Sequence, residues 1–454
     1  MKNLRQSSST SSSSSASPAA KRRRMNTSPY DVSEQSTPEK VLEIVTSEAE
    51  TERSSSSEME FDYEETDSFL SDASEGEESD DEDTLSEYAW DSDTSDSSSL
   101  TDWSDSELDH DTKTMRMNHT GSYEFMEKLG EGTFGVVYSA MNKKEKRVAL
   151  KISKSGFTLG HTMEQTVYNM IASNEHPNLL KFHRADVLKK PRYNWSPNVL
   201  ITELLGGSIH DIMDAAGLKA QGMFDRESKV VCAFPPADIS TIGKQIAVGM
   251  LHLEKMGICH LDLKPENLLF THAPFGLTGR SCLPLIRMRC LNIKIGDYGS
   301  CAFHEHLGSE SNLSIVQTQN FRAPEVFCGL PFNKKSDVWS FGAVMSELAT
   351  GEFLFFGDKT QHHEFSESTQ LEMMQNIVGE SVPDRMWNDA EELDADFRVP
   401  RPDKDHEGFD PSPPLTELIT NAKLLEFLQY VLRVDYLERP SFEDLLGHSY
   451  FNDK

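Results

Sequence analysis

Three clusters of residues in this chain have types and spacings suited to chemistry. The first is Gly130-Glu131-Gly132-Thr133-Phe134-Gly135-Val136-Val137. Glycines spaced in this way let a backbone approach phosphate groups without a Cβ clash, a need that dinucleotide-binding folds share. A dinucleotide site would run from its glycines into a helix and present an acid about 20 residues later. Here the glycines run into the strand-like Val136-Val137-Tyr138, and the residue about twenty on is Lys151, within Val148-Ala149-Leu150-Lys151-Ile152. Strand alternation puts Ala149 and Lys151 on one face, opposite Val148, Leu150 and Ile152. A cation then projects beneath the glycine turn, where it can hold α- and β-phosphates; the plainer alternative is a surface lysine. The second cluster is His260-Leu261-Asp262-Leu263-Lys264-Pro265-Glu266-Asn267, and the third is Asp297-Tyr298-Gly299 after the apolar Ile293-Lys294-Ile295.

In this order the three clusters resemble the eukaryotic protein kinase family over about Tyr123 to Phe451. The resemblance implies an ATP site made by Leu129, Gly130, Gly132, Gly135, Val137, Ala149 and Lys151, with a hinge at Thr202-Glu203-Leu204-Leu205-Gly206 in which Thr202 backs the pocket and the backbones of Glu203 and Leu205 face adenine. It implies that Asp262 orients the attacking hydroxyl and that Lys264 neutralises the moving phosphoryl group. Asn267 and Asp297 are the implied ligands of Mg2+, a hard cation that prefers oxygen. Phosphoryl transfer needs placement and charge more than covalent help, so each of these residues has a separate task. Lys151 needs a helix glutamate, and two registers are open: Glu164, or a shift of two residues that puts Thr166 in its place. In Thr318-Gln319-Asn320-Phe321-Arg322-Ala323-Pro324-Glu325, Thr318, Arg322 and Glu325 resemble the end of an activation segment. Glu325 is expected to pair with Arg439, and Asp337 to anchor the catalytic loop.

The elements that must position these residues follow from periodicity. From Tyr123 apolar residues alternate with glycine, as in strands. Ile239, Ile242, Ile246, Met250 and Leu253 recur at helical spacing, as do Val338, Phe341, Met345 and Leu348, and both stripes are core faces. The expectation is an α+β, bilobal fold: a small β-rich lobe over 121–205 and a larger helical lobe over 206–454.

Residues 1–120 differ in kind. They hold 30 acidic and 10 basic side chains, about two thirds of the chain's net charge of −31. Serine and acid with few aliphatic residues cannot offset the entropy of ordering, so a disordered tail is expected. Within it Lys21-Arg22-Arg23-Arg24 suits a nuclear import receptor or is a chance surface cluster. The acidic balance argues against nucleic acid as a partner and favours basic ones. No apolar run is long enough for a bilayer and Met1-Lys2-Asn3 leads into polyserine, so neither a membrane nor a signal peptide is expected, and the location read is the nucleus, with cytoplasm also open. The six cysteines show no zinc-site spacing and read as reduced, mostly buried thiols.

Within the kinases the chain is similar to the CDC-like, or LAMMER, group. The Glu-Leu-Leu-Gly hinge, an insertion over about 271–291 and an Arg-Ala-Pro-Glu segment carry that similarity. Of the name-giving motif, Leu371-Glu372-Met373-Met374-Gln375-Asn376 keeps its two methionines and not its flanking charges. SR-protein kinases and dual-specificity tyrosine-regulated kinases are the neighbouring groups. Leu261 stands where many kinases have an arginine that pairs with an activation-loop phosphate, which implies activity without that phosphate. Related kinases act on arginine- and serine-rich splicing factors, although the acidic tail departs from that group. A serine/threonine kinase that acts as a monomer on protein substrates, with tyrosine as a further acceptor left open, is the reading. The alternative is a pseudokinase scaffold whose acidic tail binds basic partners.

Overall fold

The computed structural model describes residues 114–132, 135–144, 146–154, 158–189, 197–221, 230–272, 275–278, 284–303, 315–356, 367–393, 398–401 and 412–452. Of the tail expected over 1–120, residues 1–113, with the basic cluster at 21–24, lie outside the described residues.

The first lobe is an antiparallel sheet of β1 (Thr114–Arg116), β2 (Ser122–Glu131), β3 (Gly135–Asn142), β4 (Arg147–Ser153), β5 (Phe182–Val187) and β6 (Asn198–Glu203), in the order β1-β2-β3-β4-β6-β5. Period-2 alternation buries Tyr123, Phe125, Val136, Tyr138, Val148, Leu150 and Ile152 in one cluster. Phe125 and Tyr138 meet edge to face, with ring centroids 4.9 Å apart. Gly135 has a packing reason beyond phosphate access, because a Cβ there would lie 2.5 Å from the Ile152 carbonyl oxygen on β4. Gly130 and Gly132 have open space around them, as expected of a turn that must accept a ligand.

The lobe begins earlier than the expected residue 121. Thr114-Met115-Arg116 pairs with Ser122–Glu124, and Met117 bridges Leu188 just past β5. Alternation explains the shift: Met115 and Met117 are buried while Thr114 and Arg116 are exposed. Lys189 N donates to Arg116 O at 2.9 Å and Asn118 N to Val187 O at 3.0 Å, which brings the two edges of the sheet together. Asp186, only 4% exposed, accepts from Thr120 N at 2.7 Å and His119 N at 3.1 Å. Serine-rich composition in the preceding stretch concealed this seven-residue strap.

Helix α1 (Thr158–Ser173) packs Val167, Tyr168 and Ile171 against the core. The second lobe contains α2 (Ile209–Gln221), α3 (Pro236–Lys255), α4 (Pro324–Phe327), α5 (Lys334–Thr350) and α6 (Glu367–Val378), followed by helices Asp384–Leu393, Ala422–Val431 and Phe442–Gly447. Both expected stripes are core: Ile239, Ile242, Ile246, Met250 and Leu253 on α3, and Val338, Phe341, Met345 and Leu348 on α5. Each such side chain contributes about 1.5–3 kcal/mol on burial. α3 and α5 approach so closely that a Cβ on Gly243 would meet the Met345 sulfur at 2.5 Å. Helix α5 starts at a reciprocal Asn333–Ser336 capping box and stops at Gly351 with φ of 76°.

Short strands β7 (Ile258–Cys259), β8 (Leu268–Phe270), β9 (Phe275–Thr278), β10 (Leu285–Met288), β11 (Ile293–Ile295) and β12 (Ala302–Phe303) form three two-stranded ladders, β7 with β12, β8 with β11 and β9 with β10. The β9–β10 hairpin occupies the segment read from sequence as an insertion. Among the described residues no helix is long and apolar enough to cross a membrane.

Candidate active site

Between the lobes lies a cleft of about 660 Å³. All the residues assigned to nucleotide binding from sequence line it: Leu129, Gly130, Gly132, Gly135 and Val137 above, Ala149 and Lys151 on β4, and Thr202, Glu203 and Leu205 where the chain crosses between lobes. Glu164, Lys264, Asn267 and Asp297 line it too.

The ladder of β4 with β3 and β6 places Lys151 opposite Val137 and Leu200 and aims its ammonium into the cleft. Lys151 Nζ lies 2.8 Å from Glu164 Oε1 and 2.7 Å from Asp297 Oδ1. Of the two registers open for α1, the structure turns Glu164 inward, 1% exposed, and Thr166 outward. Burial alone would lower the Lys151 pKa, but the Asp297 and Glu164 carboxylates outweigh it and hold the ammonium above its usual range. Burial, with Asp297 adding repulsion, raises Glu164 despite its lysine. At Asp297 the balance reverses: burial pushes upward, and Lys151 brings the carboxyl below the ordinary aspartate value. Asp297 has a left-handed φ of 57°, and 43% of its side chain remains open toward the cleft.

A second network surrounds Asp262. Thr318 Oγ1 donates to Asp262 Oδ1 at 2.7 Å, and Lys264 Nζ lies 2.9 Å from Asp262 Oδ2 while donating to Thr318 Oγ1 at 2.8 Å. Asn267 Nδ2 donates to Asp262 O at 2.7 Å and Oδ2 at 3.1 Å. These two bonds engage the amide nitrogen of Asn267 and not its oxygen, the donor type that a hard cation prefers. Beneath this network Asp337, buried on α5, accepts from the backbone of His260 and of Leu261 at 2.8 Å each. That grip stabilises the left-handed φ of 60° at Leu261, a conformation that costs a non-glycine residue about 1–2 kcal/mol. His260 Nδ1 accepts from Asp262 N at 3.2 Å, so Nε2 carries the proton facing Gly296 O at 3.1 Å. The imidazole thus joins the strand leading to Asp297 with the loop that holds Asp262.

The other landmarks lie away from the cleft. Arg439 forms a two-point pair with Glu325, 2.9 Å at each nitrogen, with both side chains fully buried. Arg322 reaches Glu367 at the start of α6 at 2.6 Å. The hydroxyl that distinguishes Tyr298 from phenylalanine donates to Ile295 O at 2.6 Å and accepts from Leu180 N at 3.3 Å.

Some site residues were not singled out from the sequence. Ser208 and Asp211 form a reciprocal cap at the start of α2, which sets Asp211 at the cleft wall. A serine three residues before an acid was the available signal. Glu131, within the glycine turn, lies 2.7 Å from both Lys128 and Lys154, which pull its pKa to about 2. Lys294 on β11 holds the side chain of Glu203 at 2.7 Å and ties the crossing segment to the strand of Asp297; no local pattern announces that pair.

Mg2+ and ATP fit what is present. Among the described residues no three of His, Cys, Asp and Glu gather into a metal cage. Asp297 and Asn267 offer oxygen to one cleft, and Mg2+ is commonly held by one or two carboxylates completed by substrate phosphates.

Comparison with known proteins agrees with this arrangement. The protein kinase domain matches over residues 123–451. Serine/threonine-protein kinase AFC3 of Arabidopsis thaliana is 30% identical over 292 residues, covering 62% of this chain and 66% of that protein. Dual specificity protein kinase KNS1 of Saccharomyces cerevisiae is 28% identical over 283 residues, covering 58% of this chain and 35% of that protein. The match therefore spans about two thirds of the plant relative and about one third of the yeast one. A kinase-domain crystal structure superposes with a TM-score of 0.60 at 26% identity, over 75% of this chain and 97% of that one. With a domain match across most of its length, this chain belongs to the protein kinase family.

Proposed function

We propose that the chain transfers the γ-phosphate of ATP to serine or threonine hydroxyls of proteins, and that it sits among the CDC-like kinases, with tyrosine as a further acceptor. The observation that carries the reading is the joining of Lys151, Glu164 and Asp297 in one charged chain along the cleft, with Lys264 on the same wall bonded to both Asp262 and Thr318. A scaffold with no chemistry to perform has no physical need for both networks.

Each residue has a task in the transfer. Lys151, fixed by Glu164, holds the α- and β-phosphates. Asp262 accepts the proton of the incoming hydroxyl, and Lys264 offsets charge on the phosphoryl oxygens as it passes. Asn267 and Asp297 would hold Mg2+, which when bound neutralises phosphate charge. Leu129, Val137 and Ala149 give the base an apolar enclosure, and the left-handed backbone at Asp297 directs its open carboxylate oxygen into the cleft.

The preferred substrates are arginine- and serine-rich proteins. Asp211 and Glu266 line the cleft and supply the negative charge that arginines flanking a serine complement. Lys21-Arg22-Arg23-Arg24 serves as a nuclear import signal, and the protein acts in the nucleus as a monomer.

The test is phosphate incorporation with Mg2+ and ATP, wild type beside Asp297→Asn, on a peptide array with arginine or acidic flanks. Wild-type incorporation on arginine-flanked serines that falls by about a hundredfold or more in Asp297→Asn is expected. Equal incorporation by the two proteins removes the catalytic reading, and preference for acidic flanks removes the substrate class.

A further inference from the structure

Gln317 belongs to none of the motifs described above, yet both its side-chain amide and its carbonyl are engaged in hydrogen bonds. Its backbone is left-handed, with φ of 69°, and its polar side chain is only 8% exposed. A non-glycine residue persists in that conformation where its surroundings over-determine it. Here they do. Nε2 donates to Ser336 O at 3.0 Å and to Ser340 Oγ at 2.8 Å, and Oε1 accepts from Ala323 N at 2.9 Å. Ser340 Oγ in turn donates to Phe321 O at 2.8 Å. The Gln317 carbonyl accepts from Arg322 Nη2 at 3.3 Å, and the Val316 carbonyl from Arg322 Nε at 3.0 Å. One side-chain amide therefore ties both ends of Val316–Ala323 to helix α5. The next residue along is Thr318, whose hydroxyl donates to Asp262.

Only an amide supplies these bonds. Glutamate has the acceptor without the two donated bonds, and methionine has the length with neither. A segment held by neutral bonds to a buried helix needs no phosphate to order it, and Leu261 offers no cation with which to hold one.

We infer that Gln317 is a positioning residue for the phosphoacceptor: its amide locks Val316–Ala323 onto α5, and so sets Thr318 against Asp262 at the edge where a protein substrate must lie. The inference rests on the kinase reading above for its consequence, and on geometry alone for the lock.

Gln317→Met and Gln317→Gly in the full chain test it. Met keeps the volume and loses the bonds; Gly also relieves the left-handed backbone. Both variants are expected to exchange amide hydrogens about tenfold faster over Val316–Ala323, with Cys259–Asn267 still protected. With a synthetic arginine/serine peptide as the probe, KM for peptide should rise about fivefold or more while KM for ATP stays within about twofold. Wild-type protection in Gln317→Met overturns the lock whether or not the chain turns over. Retained protection in Gln317→Gly overturns the role of the amide, and an equal rise in both KM values with a lowered Tm reduces Gln317 to general stability. Loss of protection in a chain that never phosphorylates would leave the lock standing and sink the kinase reading.

Discussion

At the scale of single residues, the cleft is organised by what the charged groups must hold when nothing else neutralises them. Lys151 faces two carboxylates, one buried and one open to the cleft, and that asymmetry separates their tasks. Glu164 is enclosed and can only orient its lysine, whereas Asp297 retains open surface for a cation. Replacing Glu164 by glutamine removes the charge and keeps the shape, so kcat should fall about tenfold or more; Glu175, 60% exposed and paired with Lys181, should tolerate the same change within about twofold. Steady-state rates of the two variants beside wild type decide it, and equal effects would sink the role given to Glu164. These residue types were legible from sequence because the chemistry restricts them within short spans. The Tyr298 hydroxyl shows the limit: the sequence shows that it needs a partner, but the partner, Ile295 O, depends on how the turn after β11 closes.

Among the elements, the strap over Thr114–Thr120 is the one that sequence reading misplaced. Two methionines alternating with polar residues are too short a signal against a serine-rich acidic stretch, and the strand forms because β2 and the end of β5 both offer it hydrogen bonds. Asp186 fastens its end. Burial pushes this carboxyl upward, but hydrogen bonds from Thr120, Val187 and His119 hold it below the ordinary aspartate range. A carboxyl with a depressed folded-state pKa contributes stability that is complete above its unfolded value, about 3.9, and lost as pH falls through the lower folded value. Asp186→Asn should therefore cost about 1–2 kcal/mol near neutral pH and flatten the loss of stability on acidification below about pH 4. Urea unfolding of the two proteins at a series of pH values measures both effects, and parallel acid limbs would show that Asp186 is not the titrating group.

At the scale of the whole folded region, the buried pair of Glu325 and Arg439 joins segments 114 positions apart. Arg439 also donates to the carbonyls of Arg433 and Lys335 and lies 5.3 Å from the Trp339 ring centroid, while Ser336 Oγ donates to Glu325. Every polar atom of the pair is thus engaged, and removing one partner strands a charge where water cannot reach it. Arg439→Met should destabilise the chain by about 3–5 kcal/mol, and adding Glu325→Met should restore part of the loss. Denaturant unfolding of the single and double variants reads this directly; a double variant no more stable than the single one would show that the pair does more than satisfy its own charges.

The residues to which the proposed phosphoryl transfer gives duties could be read along the chain because that chemistry demands particular groups at short spacing: glycines before a strand lysine, an aspartate three residues after a strand, an asparagine five residues beyond that aspartate. Their placement relative to one another could not. Lys151 and Asp297 are 146 positions apart, and helix α1 brings in Glu164 rather than Thr166 only because Val167, Tyr168 and Ile171 fix its rotation against the core. The opening strap and the amide of Gln317 lay further out of reach, since each is defined by backbone groups that meet it from distant segments. Residue chemistry is local in this chain, whereas hydrogen bonds between elements exist only after packing has chosen which faces meet.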